Sequence, residues 1–414
     1  MPSLPTELLI DIIDRATHIP HLLSIVPKPS DDDFLCDYEF EDTLDDFIPS
    51  LRTRHALSLV CRSFNAVTTP ILYSCLLLSS ASTRNLRNGI TDENASLVFH
   101  VLLDLNAFTS ATLASLPSIF IRLPNVRALS IYANLGDGNS APPIHFASHI
   151  TDSMASPFGP TLRRLALYRH ALAFFEPHHF ASFTFALVHL EALVAPNNHA
   201  PPNVHVLMGA VRLPTSVPHL RYLNVPDSSF VLSAPAAPAY ARRPLADSLH
   251  HILCPALTHL SIVMDVWCVW TAYDSIAVAC PNLVALTLSG GTLSELVFLL
   301  RAESRTQFPA VSQLIFEDIL LEEWDDGIVD EETGEGPLPV FGRMQLWVDA
   351  LAMLRARAPT LSVARVVDEV FLDGIRKYAR EGKVRVNALE GCGFVVEDGK
   401  GRALLDGLQV GGPS

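Results

Sequence analysis

The sequence predicts an α/β protein: a small N-terminal helical segment, an irregular solenoid of short parallel strands behind it, and a C-terminal helix–strand cap. Three observations predict it. Apolar residues recur at helical spacing near the N-terminus, a leucine-centred motif recurs along residues 123–316, and the pattern returns to helical spacing after residue 340. The expected layout is a helical segment over 1–80 with an acidic insert at 17–51, an array over 110–320, an acidic loop over 321–340, a cap over 341–398 and a flexible tail over 399–414.

In the helical segment, Leu4-Pro5-Thr6-Glu7-Leu8-Leu9 opens like a helix start, with Pro5 where a missing N–H costs nothing and Glu7 near the positive end of the dipole. Leu8, Leu9, Ile12, Ile13 and Ala16 then form one apolar stripe. A second helix is expected in HALSLVCRSFNAV, where Leu57, Val60, Cys61, Phe64 and Val67 share a face. Pro70 and a strand-like run Ile71–Leu78 should end the unit. Helices this short must bury their stripes on each other and on something further.

The array rests on self-similarity. LPNVRALSI at 123–131 recurs as TLRRLALY at 161–168, VHLEALVA at 188–195, VPHLRYLNV at 217–225, CPALTHLSI at 254–262, CPNLVALTL at 280–288 and FPAVSQLIF at 308–316. Leu129, Leu165, Leu193, Leu223, Leu260, Leu286 and Leu314 anchor the copies, with gaps of 36, 28, 30, 37, 26 and 28 residues. The two long gaps coincide with stretches 136–160 and 226–246, rich in Gly, Pro, Ser or Ala and read as inserted loops. Strands stacked in parallel should send alternate residues such as Leu260 and Ile262 inward and His259 and Ser261 outward. Ala171–Phe175, Ser275–Ala279 and Ser294–Arg301 suit the return segments. The array resembles leucine-rich repeats of an irregular type, in which the Asn expected after the strand is mostly missing. Outward positions Arg164, Tyr168, Tyr222, Asn224, His259, Ser261, Thr287 and Gln313 are then the candidate contacts for a protein substrate; singly, such residues are also ordinary surface.

Past the array, Gln345–Ala356 and Val366–Glu381 read as helices, the second closing at Gly382. Lys383–Ala388 reads as a strand, and the Gly-rich chain from Gly399 as a fraying tail.

Composition bounds the function. The formal charge of −15 is concentrated: Asp31–Asp46 holds nine acids and Glu317–Glu335 ten, with no Lys or Arg in either. Such blocks are solvated loops or contacts for a basic partner. No basic stripe or basic–aromatic motif suggests nucleic acid. No apolar run approaches the roughly 20 residues of a membrane-spanning helix, and the acid-containing N-terminus is unlike a secretory signal. Seven scattered cysteines without C-x-x-C spacing fit reduced thiols in a cytoplasmic or nuclear protein.

No P-loop, dinucleotide fingerprint or nucleophile elbow occurs. His145 and His149 have metal-pair spacing without the accompanying glutamate. The adjacent pairs His178-His179 and His250-His251 diverge, and Trp267, Trp270 and Tyr273 are either a pocket or core. The expectation is no enzyme, no catalytic residue, no metal and no cofactor.

The opening Leu-Pro-x-Glu-Leu-Leu-x-x-Ile-Ile, with Ala-Leu-Ser-Leu-Val-Cys-Arg-Ser-Phe and the following Pro-Ile-Leu-Tyr, resembles an F-box of the kind common in fungal proteins; residues 4–16 and 55–78 carry the likeness. The resemblance implies docking onto the Skp-type adaptor of cullin–RING ubiquitin ligases, and so a partnership with the cullin scaffold. Leu4, Pro5, Leu8, Ile12, Leu57, Val60, Cys61 and Phe64 would be divided between the adaptor groove and the packing of the box itself. Two departures stand out: the insert at 17–51 where the family has a short connection, and Tyr73 where a Trp is usual. Such an insert is compatible with the box or could cover its docking face. A pair of core helices that caps a repeat scaffold, with no role in a ligase, is the alternative reading.

Overall fold

The structure, a computed structural model, describes residues 5–17, 40–106, 108–133, 146, 148–169, 171–175, 177–195, 218–226, 254–263, 276, 280–289, 310–317, 319, 340–354, 358–389 and 392–404. It divides into two compact units, Met1–Lys28 with Cys36–Tyr222, and Pro29–Leu35 with Leu223–Ser414. Each is α/β with short parallel strands in chain order, the open solenoid-like arrangement that the repeat predicts.

The first unit begins with three helices, α1 (Thr6–Thr17), α2 (Phe40–Ser58) and α3 (Arg62–Tyr73). The helix expected in 55–67 is in fact two. The chain turns at Leu59–Cys61, with Leu59 N and Val60 N bonding back to Ala56 O and Leu57 O. Pro70 does not end the segment but lies inside α3. Nor is the acidic insert only a loop, since its second half is the start of α2.

The strands β1 (Cys75–Leu78), β2 (His100–Asp104), β3 (Ala128–Ala133), β4 (Arg164–Arg169) and β5 (Ala192–Val194) pair in parallel, neighbour to neighbour. Parallel strands therefore start well before residue 110. Leu129, Leu165 and Leu193 stand directly opposite one another and are fully buried. The boundary between the units falls inside β6 (Tyr222–Pro226).

One backbone device repeats along the array. In most repeats the carbonyl of the residue before the strand accepts two N–H groups from the next repeat. Phe99 O takes Arg127 N (2.7 Å) and Ala128 N (3.0 Å), Arg127 O takes Arg163 N and Arg164 N, and Arg163 O takes Glu191 N and Ala192 N. In the second unit Thr258 O and Val284 O do the same for Val284/Ala285 and Ser312/Gln313. Proline cannot donate, and at these donor positions the repeats carry none. Three residues before the strand, a side chain adds a tie in some repeats: Asn125 Nδ2 donates to Ser96 O (2.6 Å) and Asn282 Nδ2 to Pro255 O (2.8 Å).

Helices α4 (Ser80–Gly89), α5 (Asp92–Ala95), α6 (Ser110–Leu113), α7 (Leu116–Phe120), α8 (Ser148–Phe158) and α9 (Pro177–Ala186) alternate with these strands. Hydroxyls start three of them: Ser79, Thr91 and Thr109 each accept the backbone N–H three residues on, satisfying a donor with no partner within the helix. The 136–160 stretch is not wholly an inserted loop, because α8 occupies its end and buries Ile150, Met154 and Phe158. Ala171–Phe174 is a 3₁₀ turn.

The second unit contains β7 (His259–Val263), β8 (Ala285–Ser289) and β9 (Gln313–Glu317), with Leu260, Leu286 and Leu314 in register. The cap is not a separate shield. Its strands β10 (Val363–Val366) and β11 (Val395–Asp398) continue the parallel pairing from β9, and helices α10 (Val340–Leu354) and α11 (Glu369–Arg380) return between them. The strand expected at 383–388 is absent; Val386–Leu389 is a 3₁₀ turn. Trp347 of α10 contacts Phe316 (centroids 5.7 Å) and Phe371 of α11 (5.1 Å), joining strand and helices in one core. Gly382 closes α11 with φ +68, a left-handed conformation that glycine tolerates without a Cβ clash. The chain past Gly399 does not fray at once. Asp398 N donates to Arg402 O, and Leu404 is fully buried.

Candidate functional site

The N-terminal helices are held by a buried arginine. Arg54 of α2 is 3% exposed; its Nη2 donates to Thr17 O at the end of α1 (2.9 Å) and its Nη1 to Ile71 O in the last turn of α3 (3.0 Å). Ser50 Oγ also donates to Thr17 O (2.7 Å). A cation at the carbonyl ends of two helices meets acceptors in their last turns and the negative ends of their dipoles.

This packing divides α1 into two apolar sides. Leu9 and Ile13 are buried, whereas Leu8 is 51% and Ile12 50% exposed, as is much of Ile10. The turn between α2 and α3 leaves Leu59 and Val60 71% and 63% exposed. That turn is fixed: Asn65 Nδ2 donates to Ser58 O (3.1 Å), and Ser58 Oγ to His55 O (2.7 Å). Side chains of this size contribute about 1.5–3 kcal/mol each when fully buried, so a partner covering them gains affinity from apolar area alone.

Of the expected adaptor contacts, Pro5, Leu8, Ile12, Val60 and Cys61 are exposed, Leu57 and Phe64 are half-buried, and Leu4 lies outside the described residues. Ile10 and Leu59 were not expected on this surface. Ile10 falls off the stripe, and nothing in the residue types marks the turn at Leu59.

The expected substrate contacts fare differently. Tyr222, Asn224, His259, Ser261 and Thr287 are buried, and only Arg164, Tyr168 and Gln313 are partly exposed. The inward/outward alternation is therefore overturned: strands β3, β5 and β8 are buried at every position. Parallel strands covered on both faces read as continuous apolar runs. In the first unit the cover is visible. Phe47 of α2, fully buried, packs with Cys75, Leu102 and Tyr132, and Leu51, Leu77 and Tyr168 pack against them. The insert that reads as solvated acid thus supplies the helix lying on the strands' second face.

Beneath that face, His100 Nε2 and Ser130 Oγ are 3.0 Å apart, both 3% exposed. The pair is shut off from solvent and serves the core. Burial also pushes the Cys75 thiol well up, against the pull of Arg54, and lowers His259 to about 4, so its imidazole is neutral. Among the described residues no group of three metal-ligating side chains converges, and no helix is long and apolar enough to cross a membrane. His145, His250-His251, Trp267, Trp270, Tyr273 and most of the second acidic stretch lie outside the described residues.

No protein-family model and no curated protein matches the sequence. Among solved structures, the chain is similar to the leucine-rich repeat-containing protein LegL7 from Legionella pneumophila, at 15% identity and a TM-score of 0.37, over 73% of this chain and 92% of that one. It is also similar to the complex of Rad7 and Elc1 in yeast, at 12% identity and a TM-score of 0.30, over 97% and 94%. Likenesses this faint carry no argument about function.

Proposed function

We propose that this chain is a substrate-recognition subunit of a cullin–RING ubiquitin ligase. Its N-terminal helices dock a Skp-type adaptor, and its repeat array holds a protein substrate. The observation that carries the reading is the split of α1, with Leu9 and Ile13 spent on the protein's own core while Leu8 and Ile12 stand exposed one residue away. A helix that only capped the array would have little reason to keep two aliphatic side chains half in water. Catalysis by the assembled ligase would rest on proximity, since tethering raises the effective concentration of substrate lysines near the charged ubiquitin carrier.

A second reading has its own support. Phe47 and Leu51 of α2 cover the second face of the first strands, as a cap on a repeat scaffold with no ligase role would. Capture on immobilised Skp-type adaptor separates the two. The docking reading expects binding at micromolar concentrations, lost when Leu8 and Ile12 are both replaced by Asp, while the melting temperature stays within a few degrees. Lack of capture by the wild-type chain at those concentrations leaves the scaffold reading standing.

A further inference from the structure

Cys254 and Cys280 are 26 residues apart, a spacing that suggests nothing in a cysteine count and equals one repeat of the array. Each opens the same Cys-Pro turn five residues ahead of its strand, β7 or β8. The turns match: Leu257 N donates to Cys254 O (3.1 Å) and Leu283 N to Cys280 O (3.2 Å). They are also tied to each other. Asn282 Nδ2 donates to Pro255 O, and Val284 N and Ala285 N both donate to Thr258 O. The strands that follow pair His259 with Ala285, the same offset of 26. The two cysteines are therefore register partners in adjacent parallel repeats. Neighbouring strands lie about 4.8 Å apart, inside the Cα separation that a disulfide spans. Both residues are buried thiols, at 0% and 2% exposure.

We propose that Cys254 and Cys280 are a redox-operated staple, a reversible disulfide that locks the β7 repeat to the β8 repeat. The oxidant is a small hydroperoxide. One thiolate attacks the peroxide oxygen and expels hydroxide, leaving a sulfenic acid; the second sulfur displaces its hydroxyl group to close the S–S bond. Two thiols and one hydrogen peroxide thus become one disulfide and two waters, and a dithiol reductant reverses the step. The neighbouring Cys254 thiol and burial both hold the Cys280 thiol protonated, so the closed repeats resist oxidation and the step proceeds when the two repeats part locally. Repeats that touch only their neighbours open in this way more readily than a single core does. Once formed, the bond restricts the unfolded chain and raises stability.

The test uses the full chain. It is treated with hydrogen peroxide, alkylated and cleaved with chymotrypsin without reductant, the linked peptides being identified by mass spectrometry. The expected result is one intramolecular bond joining Cys254 to Cys280, with two of the seven thiols lost to it, and a melting temperature several degrees higher that dithiothreitol restores. Cys254→Ser and Cys280→Ser should each abolish the shift. Linkage of either cysteine to Cys268 or another thiol, or no linkage while the exposed Cys61 is fully oxidised, overturns the proposal. The map is read on the wild-type chain, so it stands even where a variant folds poorly.

Discussion

Arg54 donates through Nη2 to the carbonyl of Thr17 across 2.9 Å, and that bond closes the C-terminal end of α1 onto α2. The other arm of the same guanidinium reaches Ile71 O in α3. One side chain therefore fixes the mutual placement of all three N-terminal helices, and with it the exposure of Leu8 and Ile12.

Replacing Arg54 by Met keeps the apolar stem and removes the fork. Thr17 O and Ile71 O each lose a charge-assisted bond, and the expected loss is about 3 kcal/mol in denaturant unfolding. Arg54→Lys should rescue only part, since a single ammonium does not present two parallel arms. A Met variant as stable as wild type would show that the helices are held by apolar packing alone.

The acidic insert gives the next prediction. Its second half is the start of α2, so removing residues 40–46 should cost cooperative stability, contrary to what the acid-rich sequence suggests. Phe47→Ala, at a fully buried site against Cys75, Leu102 and Tyr132, should cost about 3–5 kcal/mol by thermal or chemical unfolding.

Which parts of the fold were legible follows from these residues. The leucines were, because L-x-x-L-x-L fixes both the strand and its register, and Leu129, Leu165 and Leu193 meet side by side as the spacing requires. The cover over the second face was not. Phe47 sits among acids that read as solvated, and it meets Leu102 and Tyr132 only through the fold. The break at Leu59–Cys61 was hidden too, since Val60, Cys61 and Phe64 keep helical spacing across a turn that no Gly or Pro marks. The exposed apolar residues of α1 were half legible: periodicity identifies the apolar positions, but which stripe α2 and α3 cover depends on how the three helices pack.

Register can be tested by truncation. Leu286→Ala should cost roughly 2–5 kcal/mol, since Leu260 and Leu314 flank it in one core, whereas Gln313→Ala, at a partly exposed site, should stay within about 0.5 kcal/mol. Equal costs at the two positions would mean that the strand faces are assigned wrongly.

His259 makes stability depend on pH. Burial lowers its imidazole from the ordinary 6.5 to about 4. Between those values the unfolded chain takes up a proton that the folded chain refuses, so this group's contribution is full above about pH 7 and is lost as pH falls toward 4. The loss is on the order of 3 kcal/mol. A wild-type stability profile from pH 7 to 4 should therefore fall more steeply than that of His259→Asn, which binds no proton. Parallel profiles would mean that His259 is protonated inside the fold.

Gly159 tests how closely the helices of the first unit approach. It follows α8, with its N–H bonded to Ala155 O at 2.9 Å. A Cβ at this position would stand 2.6 Å from Ala155 O and 2.9 Å from Ala186 O, the carbonyl that ends α9. Both obstacles are backbone, so neither can rotate aside; α8 and α9 would have to separate or the turn into β4 unwind. Gly159→Ala would ordinarily gain stability by stiffening the unfolded chain. Here it should lose about 1–3 kcal/mol, as overpacking against fixed atoms does, and lower the melting temperature. Because Phe158, one residue away, packs edge-on against Phe120 at 5.2 Å, the strain should also reach that aromatic contact. A neutral or stabilising Gly159→Ala would show that the ends of α8 and α9 lie further apart than the structure places them.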